Sequence, residues 1–334
     1  MAQQAETVEI VGAGVVGLTA AHAFATRGCA VRVISASGGP GAECCSWWAG
    51  GMLAPGCEME AAEPLIGALG GESIAFWREV AEPFFNGTLV VAPPRDAADL
   101  RRFARMTQGW QEVAPGDLEP DLSRFARGLH FPAEGHMDPR SVLPALVQRL
   151  EGMGVVFETG IAAPETQADL RIDARGLAAA DTLPDLRGVK GEMLLIRSQE
   201  IKLSRPVRLL HPRYPLYIVP RGNGVFMVGA TMIESAERGR ATVRSALELL
   251  GAAYALHPAL GEAEILEIGV DARPAFPDNL PRLRWVGPTL YINGMFRHGF
   301  LCAPAMARRA AEAALDGAVF PEVMDADHRQ RHSA

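Results

Sequence analysis

A glycine-rich turn near the N-terminus constrains the fold of this chain more than any other feature. The turn, Gly12–Gly17, reads GAGVVG; it follows the β-branched run Val8–Val11 and precedes an alanine-rich segment with helical character. Gly28 marks the expected end of that helix, and the apolar run Cys29–Ile34 is a second strand. A strand, a G-x-G-x-x-G turn, a helix and a strand together indicate a dinucleotide-binding α/β fold.

Each glycine of the turn has its own physical role in such a fold. Gly12 permits the tight turn, Gly14 lets the backbone approach a pyrophosphate, and Gly17 allows the helix to pack closely on the strand. The start of the helix then presents free N–H groups and the positive end of its dipole to the phosphates. The alternative interpretation is a turn that serves packing alone.

The position that usually binds the ribose departs from the fingerprint. An acid normally stands about twenty residues after the first glycine, at the end of the second strand. Here Ser35 occupies that position, 23 residues after Gly12. A serine is compatible with NADP, or with a flavin whose ribose is held by other groups. Ser35 is nevertheless predicted to contact the cofactor.

Composition excludes several other classes of protein. The 334 residues are 49% hydrophobic and 21% charged, as in ordinary globular proteins of about two domains. A net charge of −7 argues against binding to nucleic acid, and no apolar run is long enough to cross a membrane. The five cysteines and the histidines show no metal-ligand spacing, and no metal site is expected. Without a recognisable secretory signal, these thiols indicate the cytoplasm.

The second half of the chain has a different residue pattern from the first. From about residue 187, short alternating runs such as Leu216–Pro220 and Val225–Gly229 are separated by turns, which indicates a mostly antiparallel sheet. Leu290–Asn293 and an alanine-rich helix then return to the α/β pattern. The predicted fold class is therefore α/β, with a Rossmann-type domain and a second, mostly antiparallel β-sheet domain that binds the substrate. The predicted boundaries are 1–82, 138–186 and 286–334 for the first domain, and 83–137 and 187–285 for the second.

The segment after the second strand resembles a known family. Ser46–Glu58, with the sequence SWWAGGMLAPGCE, is similar to a signature of the FAD-dependent glycine oxidases of thiazole (thiamine) biosynthesis, within the D-amino-acid oxidase group. Tyr217–Arg221, Gly229–Met232 and Gly294–Pro304 are also similar to members of this family, in the same order. The resemblance extends from residue 8 to about residue 305.

The resemblance implies that the first domain binds FAD. The attachment is expected to be non-covalent, because no cysteine or histidine stands out as a tether. Gly50 and Gly51 fit this role because a backbone without side chains can approach a flat ring and donate to its heteroatoms. No side chain is expected to act as a catalytic acid or base, since the flavin accepts the hydride. The residues expected at the cofactor are Gly12, Gly14, Val15, Val16, Gly17, Ser35, Cys45, Ser46, Gly50, Gly51, Met52, His298, Gly299, Phe300 and Leu301.

Arg297 and Tyr217 are the residues that the resemblance assigns to the substrate carboxylate. A guanidinium can bind a carboxylate through two hydrogen bonds, and a phenol can add a third. The alternatives are a surface ion pair for Arg297 and a core position for Tyr217. Met232 and Met52 match apolar walls of the substrate pocket, although methionines also serve as core filler.

Glu58 closes the signature and admits two roles. It could act as a general base, but a position at the rim of the site is favoured because hydride transfer from a neutral amine needs no strong base.

The resemblance implies oxidation of glycine to its imine, with O₂ reduced to H₂O₂ and the imine supplied for thiazole synthesis. One alternative is a D-amino-acid or D-proline-type dehydrogenase with another electron acceptor, and a second is a non-catalytic flavoprotein that scaffolds the thiazole synthase. The expected partners are a small amino acid, O₂, the thiazole synthase and further copies of this chain. Arg329, near the C-terminus, is a further candidate for contact with flavin or substrate.

Overall fold

A computed structural model of the chain describes residues 6–81, 83–211 and 216–325. The strands are β1 (Thr7–Val11), β2 (Ala30–Ser35), β3 (Met52–Leu53), β4 (Thr88–Val91), β5 (Gln111–Val113), β6 (Gly128–Phe131), β7 (Gly135–His136), β8 (Val156–Thr159), β9 (Leu170–Asp173), β10 (Arg187–Arg197), β11 (Val207–Leu209), β12 (Leu216–Pro220), β13 (Val225–Gly229), β14 (Ile233–Glu234), β15 (Glu264–Ala275), β16 (Arg282–Val286) and β17 (Thr289–Asn293). The helices are α1 (Val15–Thr26), α2 (Pro55–Glu58), α3 (Pro64–Val80), α4 (Ala97–Met106), α5 (Pro115–Leu118), α6 (Pro139–Gly152), α7 (Val243–Leu256) and α8 (Gly299–Asp316). Short 3₁₀ turns lie at Cys45–Trp48, Pro94–Asp96, Pro120–Leu122, Gly176–Asp181 and Pro258–Gly261.

The first sheet carries the N-terminal glycine turn. Its strand order is β16-β17-β9-β1-β2-β8, and every neighbouring pair is parallel except β16 with β17. The apolar residues of these strands are buried against α1, α6 and α8 in one large core. Parallel strands covered by helices are the arrangement that a chain of alternating strands and helices favours.

The second sheet is mostly antiparallel and has nine strands among the described residues. Its path is β14-β10-β13-β12-β11-β4-β6-β5, with β15 paired along β10; in this described part of the chain, β4 and β11 are the one parallel pair of the sheet. One face buries a second apolar core beneath α7. The predicted α/β fold class, with a second and mostly antiparallel sheet, is confirmed.

Several local predictions differ from the structure. The residue pattern of 96–111 predicts a helix, but this segment contains α4 and the start of β5. The glycine, proline and small residues of 35–63 predict an irregular segment, but it contains the short helix α2. The sequence pattern did not reveal β16, which joins the first sheet, so the chain returns to that sheet before residue 286. The exact division into two domains stays a prediction.

Among the described helices, none is both long and apolar enough to span a membrane. Within the same part of the chain, no three side chains of histidine, cysteine, aspartate or glutamate are grouped to hold a metal ion.

Candidate cofactor and substrate site

A cavity of about 670 Å³ lies between the two sheets. The cavity is lined on the side of the first sheet by the carboxyl ends of β1 and β2. The N-terminal ends of α1 and α8, two helices that pack on this sheet, line it as well. The second sheet contributes residues of β10, β12 and β15. The carboxyl edge of a parallel sheet, facing a second domain, is the usual place for a ligand in α/β proteins.

The glycine turn lines this cavity and is packed too closely for side chains at two of its glycines. Gly12 has a φ of +111°, and a Cβ atom there would lie 2.6 Å from the carbonyl oxygen of Ala174. A Cβ atom on Gly17 would lie 1.9 Å from the carbonyl oxygen of Gly12, so this glycine serves packing and does not line the cavity. Gly14, Val15 and Val16 do line it, at the start of α1.

Ser46 fixes the signature segment against α1. Its buried Oγ accepts a hydrogen bond of 3.1 Å from the backbone N–H of Val15. Cys45 and Ser46 line the cavity next to this contact, as predicted for residues near the cofactor. Burial raises the pKa of the Cys45 thiol to about 12, so the group is neutral at physiological pH.

The run of two glycines is shaped by close neighbours. Gly51 has a φ of +66°, and a Cβ atom there would lie 2.2 Å from the carbonyl oxygen of Met137. Gly50 faces Tyr217, whose Cε2 would lie 3.1 Å from an added Cβ. Arg221, which the sequence interpretation did not assign, donates to the carbonyl oxygens of Ala49 and Gly50 at 3.2 and 2.9 Å. This arginine therefore holds the backbone of the signature in place.

Ser35 supplies a polar atom that needs a partner. It lies at the end of β2 and lines the cavity, and its Oγ is buried without a hydrogen-bond partner among the described residues. The Oγ of Ser37 donates to the carbonyl oxygen of Gly39 at 2.9 Å, and Glu43 is also among the residues that line the cavity. A buried orphan hydroxyl at the usual ribose position fits a nucleotide cofactor.

The N-terminal end of α8 also lines the cavity, close to the start of α1: a Cβ atom on Gly299 would lie 3.4 Å from Cγ1 of Val15. His298 precedes the helix, and Gly299, Phe300 and Leu301 form its first turn; all four line the cavity. Burial lowers the pKa of His298 to about 4, so the imidazole is neutral at pH 7. The first-turn N–H groups of an 18-residue helix provide donors and a positive dipole end at this position.

Arg297 is held by a buried carboxylate. Its Nη2 lies 3.1 and 3.2 Å from the two oxygens of Glu58, and Arg208 approaches the same carboxylate at 3.6 Å. Burial opposes ionisation of Glu58, but the charge of Arg297, aided by its other neighbours, outweighs it and holds the Glu58 pKa at about 2. The favoured rim position for Glu58 is therefore wrong: the residue is 7% exposed and binds Arg297 from within the site.

Of the other predicted substrate residues, two line the cavity and one does not. Tyr217 and Met52 line the cavity. Met232 is 56% exposed and is not among the lining residues; its sulfur lies 4.0 Å from Nη1 of Arg297. The expectation of a pocket wall at Met232 is thus not met in this structure, because the side chain points to the surface beside Arg297.

Arg329, the candidate near the C-terminus, lies outside the described residues. Arg273, on β15, lines the cavity although the sequence interpretation did not select it. The signal that could have found Arg273 is weak, since a lone Arg-Pro pair at the end of an alternating strand carries no recognised spacing.

A family comparison agrees with this geometry. Residues 7–313 match the model of the family described as DAO, FAD dependent oxidoreductase. The chain belongs to this family. As an FAD-dependent oxidoreductase, it combines a dinucleotide turn with a second sheet over one cavity, and the predicted resemblance and the FAD cofactor are confirmed.

Three further similarities extend this result. A protein of Rhizobium etli named as a thiamine biosynthesis oxidoreductase, ThiO, is 50% identical over 319 residues, which cover 93% of this chain and 97% of that protein. A bifunctional ThiO/ThiG protein of Synechocystis is 28% identical and covers 96% of this chain, which spans 53% of that longer protein. The crystal structure of a glycine oxidase from Bacillus cereus has a TM-score of 0.79 at 22% identity, covering 94% and 96% of the two chains.

The residues of this FAD-dependent oxidoreductase fit its cofactor. The glycines at 12, 14, 50 and 51 leave backbone without side chains along the cavity, and Ser35 offers an unused hydroxyl. The N-terminal ends of α1 and α8 both line the cavity, and the free N–H groups of helix starts favour a phosphate.

Proposed function

We propose that this protein is a glycine oxidase that converts glycine to its imine, with O₂ as the electron acceptor, and supplies the imine for thiazole synthesis. The observation that carries the proposal is the position of Arg297 and Tyr217 in the same cavity as the dinucleotide turn. A carboxylate-binding pair beside a flavin site suits an amino-acid oxidase. The resemblance of the signature Ser46–Glu58 to glycine oxidases, and the similarity to ThiO of Rhizobium etli, support the choice of glycine.

Arg297 and Tyr217 orient the substrate in this proposal. The guanidinium and the phenol bind the carboxylate, and Met52 adds an apolar surface to the cavity. Glu58 fixes Arg297 by an ion pair of 3.1 Å, so that the guanidinium does not have to be ordered by the substrate. Bound FAD would supply the redox chemistry, as the acceptor of a hydride from the α-carbon and the donor of two electrons to O₂, which would form H₂O₂ with the protons released.

The protonation states of Glu58 and His298 indicate that these residues help to orient the substrate and do not act as catalytic acids or bases. With a pKa of about 2, Glu58 is ionised but is a very weak base at pH 7. His298 is neutral at this pH, and its Nδ1 lies 3.5 Å from Glu58. Neither residue is needed to take a proton if the substrate reacts as the neutral amine and loses its proton to water beforehand.

The proposed cellular setting follows from the same resemblance. The imine is unstable in water, so direct use by a thiazole synthase would avoid its hydrolysis to glyoxylate and ammonia. The joined ThiO and ThiG names of the Synechocystis relative support a link between two such activities. A cytoplasmic location and a homo-oligomeric state complete the proposal.

A dehydrogenase that uses an acceptor other than O₂ is the main alternative, and it differs only in how the reduced flavin is reoxidised. A non-catalytic scaffold is less well supported, because Arg297 and Tyr217 would then have no reason to share the cavity.

The test is a spectroscopic titration of the purified yellow protein under anaerobic conditions. Glycine should bleach the flavin band near 450 nm, air should restore it, and one H₂O₂ should form for each glycine consumed. Glycinamide, which lacks the carboxylate, is the matched control and should reduce the flavin far more slowly. Bleaching that air does not reverse would favour the dehydrogenase, and no bleaching by glycine or by small D-amino acids would favour the scaffold.

The same preparation tests the form of the cofactor. Acid precipitation should release the flavin into the supernatant, because the Cys45 thiol is neutral and no other side chain is expected to be a tether. Flavin that stays with the polypeptide would contradict non-covalent binding.

A further inference from the structure

Arg221 joins the glycine run of the signature to the second sheet. It directly follows β12, and its side chain is 6% exposed. Its Nη2 donates to the carbonyl oxygens of Ala49 and Gly50, at 3.2 and 2.9 Å, and its Nη1 donates to that of Met137 at 3.1 Å. A buried cation therefore contacts two consecutive peptide groups of the segment that lines the cofactor cavity.

The same two peptide groups have their N–H ends on the other side. A trans peptide directs its C=O and its N–H in opposite directions, and the peptides that follow Ala49 and Gly50 are trans. The N–H groups of Gly50 and Gly51 therefore point away from Arg221, and neither has an acceptor within the part of the chain that the structure describes. Gly50 and Gly51 line the cavity, whereas Arg221 lies behind them and is not among the lining residues.

The charge of Arg221 is only partly compensated. Asp138 is the carboxylate that faces it, but Oδ1 of Asp138 lies 3.7 Å from Nε of Arg221, and that carboxylate is 32% exposed. The same Oδ1 also accepts a hydrogen bond of 3.0 Å from the backbone N–H of Arg140. Burial lowers the pKa of Arg221 to about 10, so the guanidinium stays charged at physiological pH.

A cation on the carbonyl side of a peptide makes its N–H a stronger donor. A charge-assisted hydrogen bond to the carbonyl oxygen polarises the peptide group, and hydrogen bonds in a chain strengthen one another where the local dielectric constant is low. The N–H groups of Gly50 and Gly51 are thus better donors to a negatively charged ligand than ordinary peptides. Arg221 itself does not have to touch that ligand.

The cofactor acquires such a negative charge when it is reduced. Reduction of a flavin by two electrons, with uptake of one proton, leaves one negative charge on its ring system, and protein donors near the ring set how favourable the reduction is. We propose that Arg221 is a positioning residue for FAD, which strengthens the Gly50 and Gly51 donors facing the flavin ring and thereby raises the flavin reduction potential. The inference rests on FAD as the cofactor and does not depend on glycine as the substrate.

The test is a reductive titration of the holoprotein with xanthine and xanthine oxidase in the presence of a reference dye. This titration measures the midpoint potential of the bound flavin without any amino-acid substrate. Arg221→Met removes the charge at a similar side-chain length, and at a fixed potential it should lower the ratio of reduced to oxidised flavin at least tenfold. For a two-electron couple this change equals a downward shift of about 30 mV.

Arg221→Lys is the conservative variant and serves if the methionine variant does not retain FAD. Lysine keeps the charge but cannot bond three carbonyl oxygens with a planar fork, so the ratio should fall severalfold, less than in Arg221→Met. A titration of each apoprotein with FAD runs beside the potential measurement. A residue that only supports the backbone would weaken the binding of oxidised and reduced FAD equally, which leaves the potential unchanged.

Arg140→Met is the matched control. The Arg140 guanidinium lies 5.0 Å from the centroid of the Trp48 ring, beside the same signature, and is paired with Glu267 at 2.7 Å. In the described part of the chain its side chain makes no hydrogen bond to the signature backbone. The variant removes a cation from the same region without changing the polarisation of the two peptides, so the flavin ratio should stay within about twofold of wild type.

The outcomes separate the inference from its alternatives. A potential that is unchanged in the Arg221 variants, even with weaker FAD binding, would overturn the inference and leave Arg221 as a structural support. An equal shift in Arg140→Met would also overturn it, because any nearby cation would then have the same effect. A shift confined to the Arg221 variants, in a protein that does not oxidise glycine, would leave the inference intact and refute the proposed function.

Discussion

Replacing Glu134 with glutamine should stabilise this protein increasingly as the pH rises from 5 to 8. Glu134 is 2% exposed, and its Oε1 accepts a hydrogen bond of 2.7 Å from the backbone N–H of Cys57, in the short helix α2 that carries Glu58. Its Oε2 has no hydrogen-bond partner among the described residues. Burial raises the pKa of Glu134 from 4.5 to about 7.

The sign and size of the effect follow from the difference between the folded and unfolded pKa. A carboxyl group with a raised pKa in the folded state favours folding while it is protonated, and this advantage is lost as the pH rises through the folded value. Each unit of pKa difference corresponds to about 1.4 kcal/mol. With values of 4.5 and about 7, ionisation of Glu134 costs about 1 kcal/mol at pH 5 and about 3 kcal/mol at pH 8.

Glutamine keeps the acceptor for Cys57 and cannot ionise. The new amide group can change the free energy of unfolding by an amount that does not depend on pH. This amount cancels when the difference between variant and wild type at one pH is subtracted from the difference at another. The gain of Glu134→Gln over wild type should therefore grow by about 2 kcal/mol between pH 5 and pH 8.

Urea unfolding at pH 5, 6, 7 and 8, with FAD at a fixed excess, measures this gain as a change in midpoint at constant m. Glu79→Gln is the control, because it removes a carboxylate that is 66% exposed and paired only at the surface; its effect should stay within about 0.5 kcal/mol. A Glu134→Gln gain that is constant over this range, or that shrinks toward pH 8, would refute the reasoning.

Three further substitutions test the site. Arg297→Lys should keep FAD but lose about 2–4 kcal/mol of transition-state stabilisation, measured from kcat/KM for glycine, because a forked contact becomes a point charge; unchanged efficiency would remove Arg297 from the carboxylate site. Tyr217→Phe should cost less, about 1–2 kcal/mol in the same assay, since one hydrogen bond is lost; a larger loss than in Arg297→Lys would reverse this ranking. Ser35→Glu should tighten FAD binding to the apoprotein by about 1–2 kcal/mol in a fluorescence titration, because a carboxylate can accept two bonds from the ribose; equal or weaker binding would mean that other groups, such as Glu43, already satisfy the ribose.

The sequence by itself determined the parts of this protein that depend on neighbours along the chain. The strand, glycine turn and helix around Gly12–Gly17 could be predicted because each glycine answers a local backbone requirement, and the structure has them in place. The apolar runs of β12 and β13 also match their predicted bounds, because the glycine-containing turn between them ends one strand and starts the next. The signature around Gly50 and Gly51 could also be recognised from the sequence, because its residues are contiguous in the chain.

Which charged side chains form ion pairs was decided only by the tertiary structure. Glu58 and Arg297 are 239 residues apart in the sequence, and their contact depends on how α2 and the segment before α8 pack at one edge of the first sheet. Arg273 shows only a weak local signal, because its place at the cavity depends on how β15 packs against the elements around it. Met232 stands in a motif that suggested a pocket wall, yet its side chain is mostly exposed. Periodicity and spacing report the conformation of a segment, whereas burial, ion pairing and pKa are set by contacts between segments that the fold brings together.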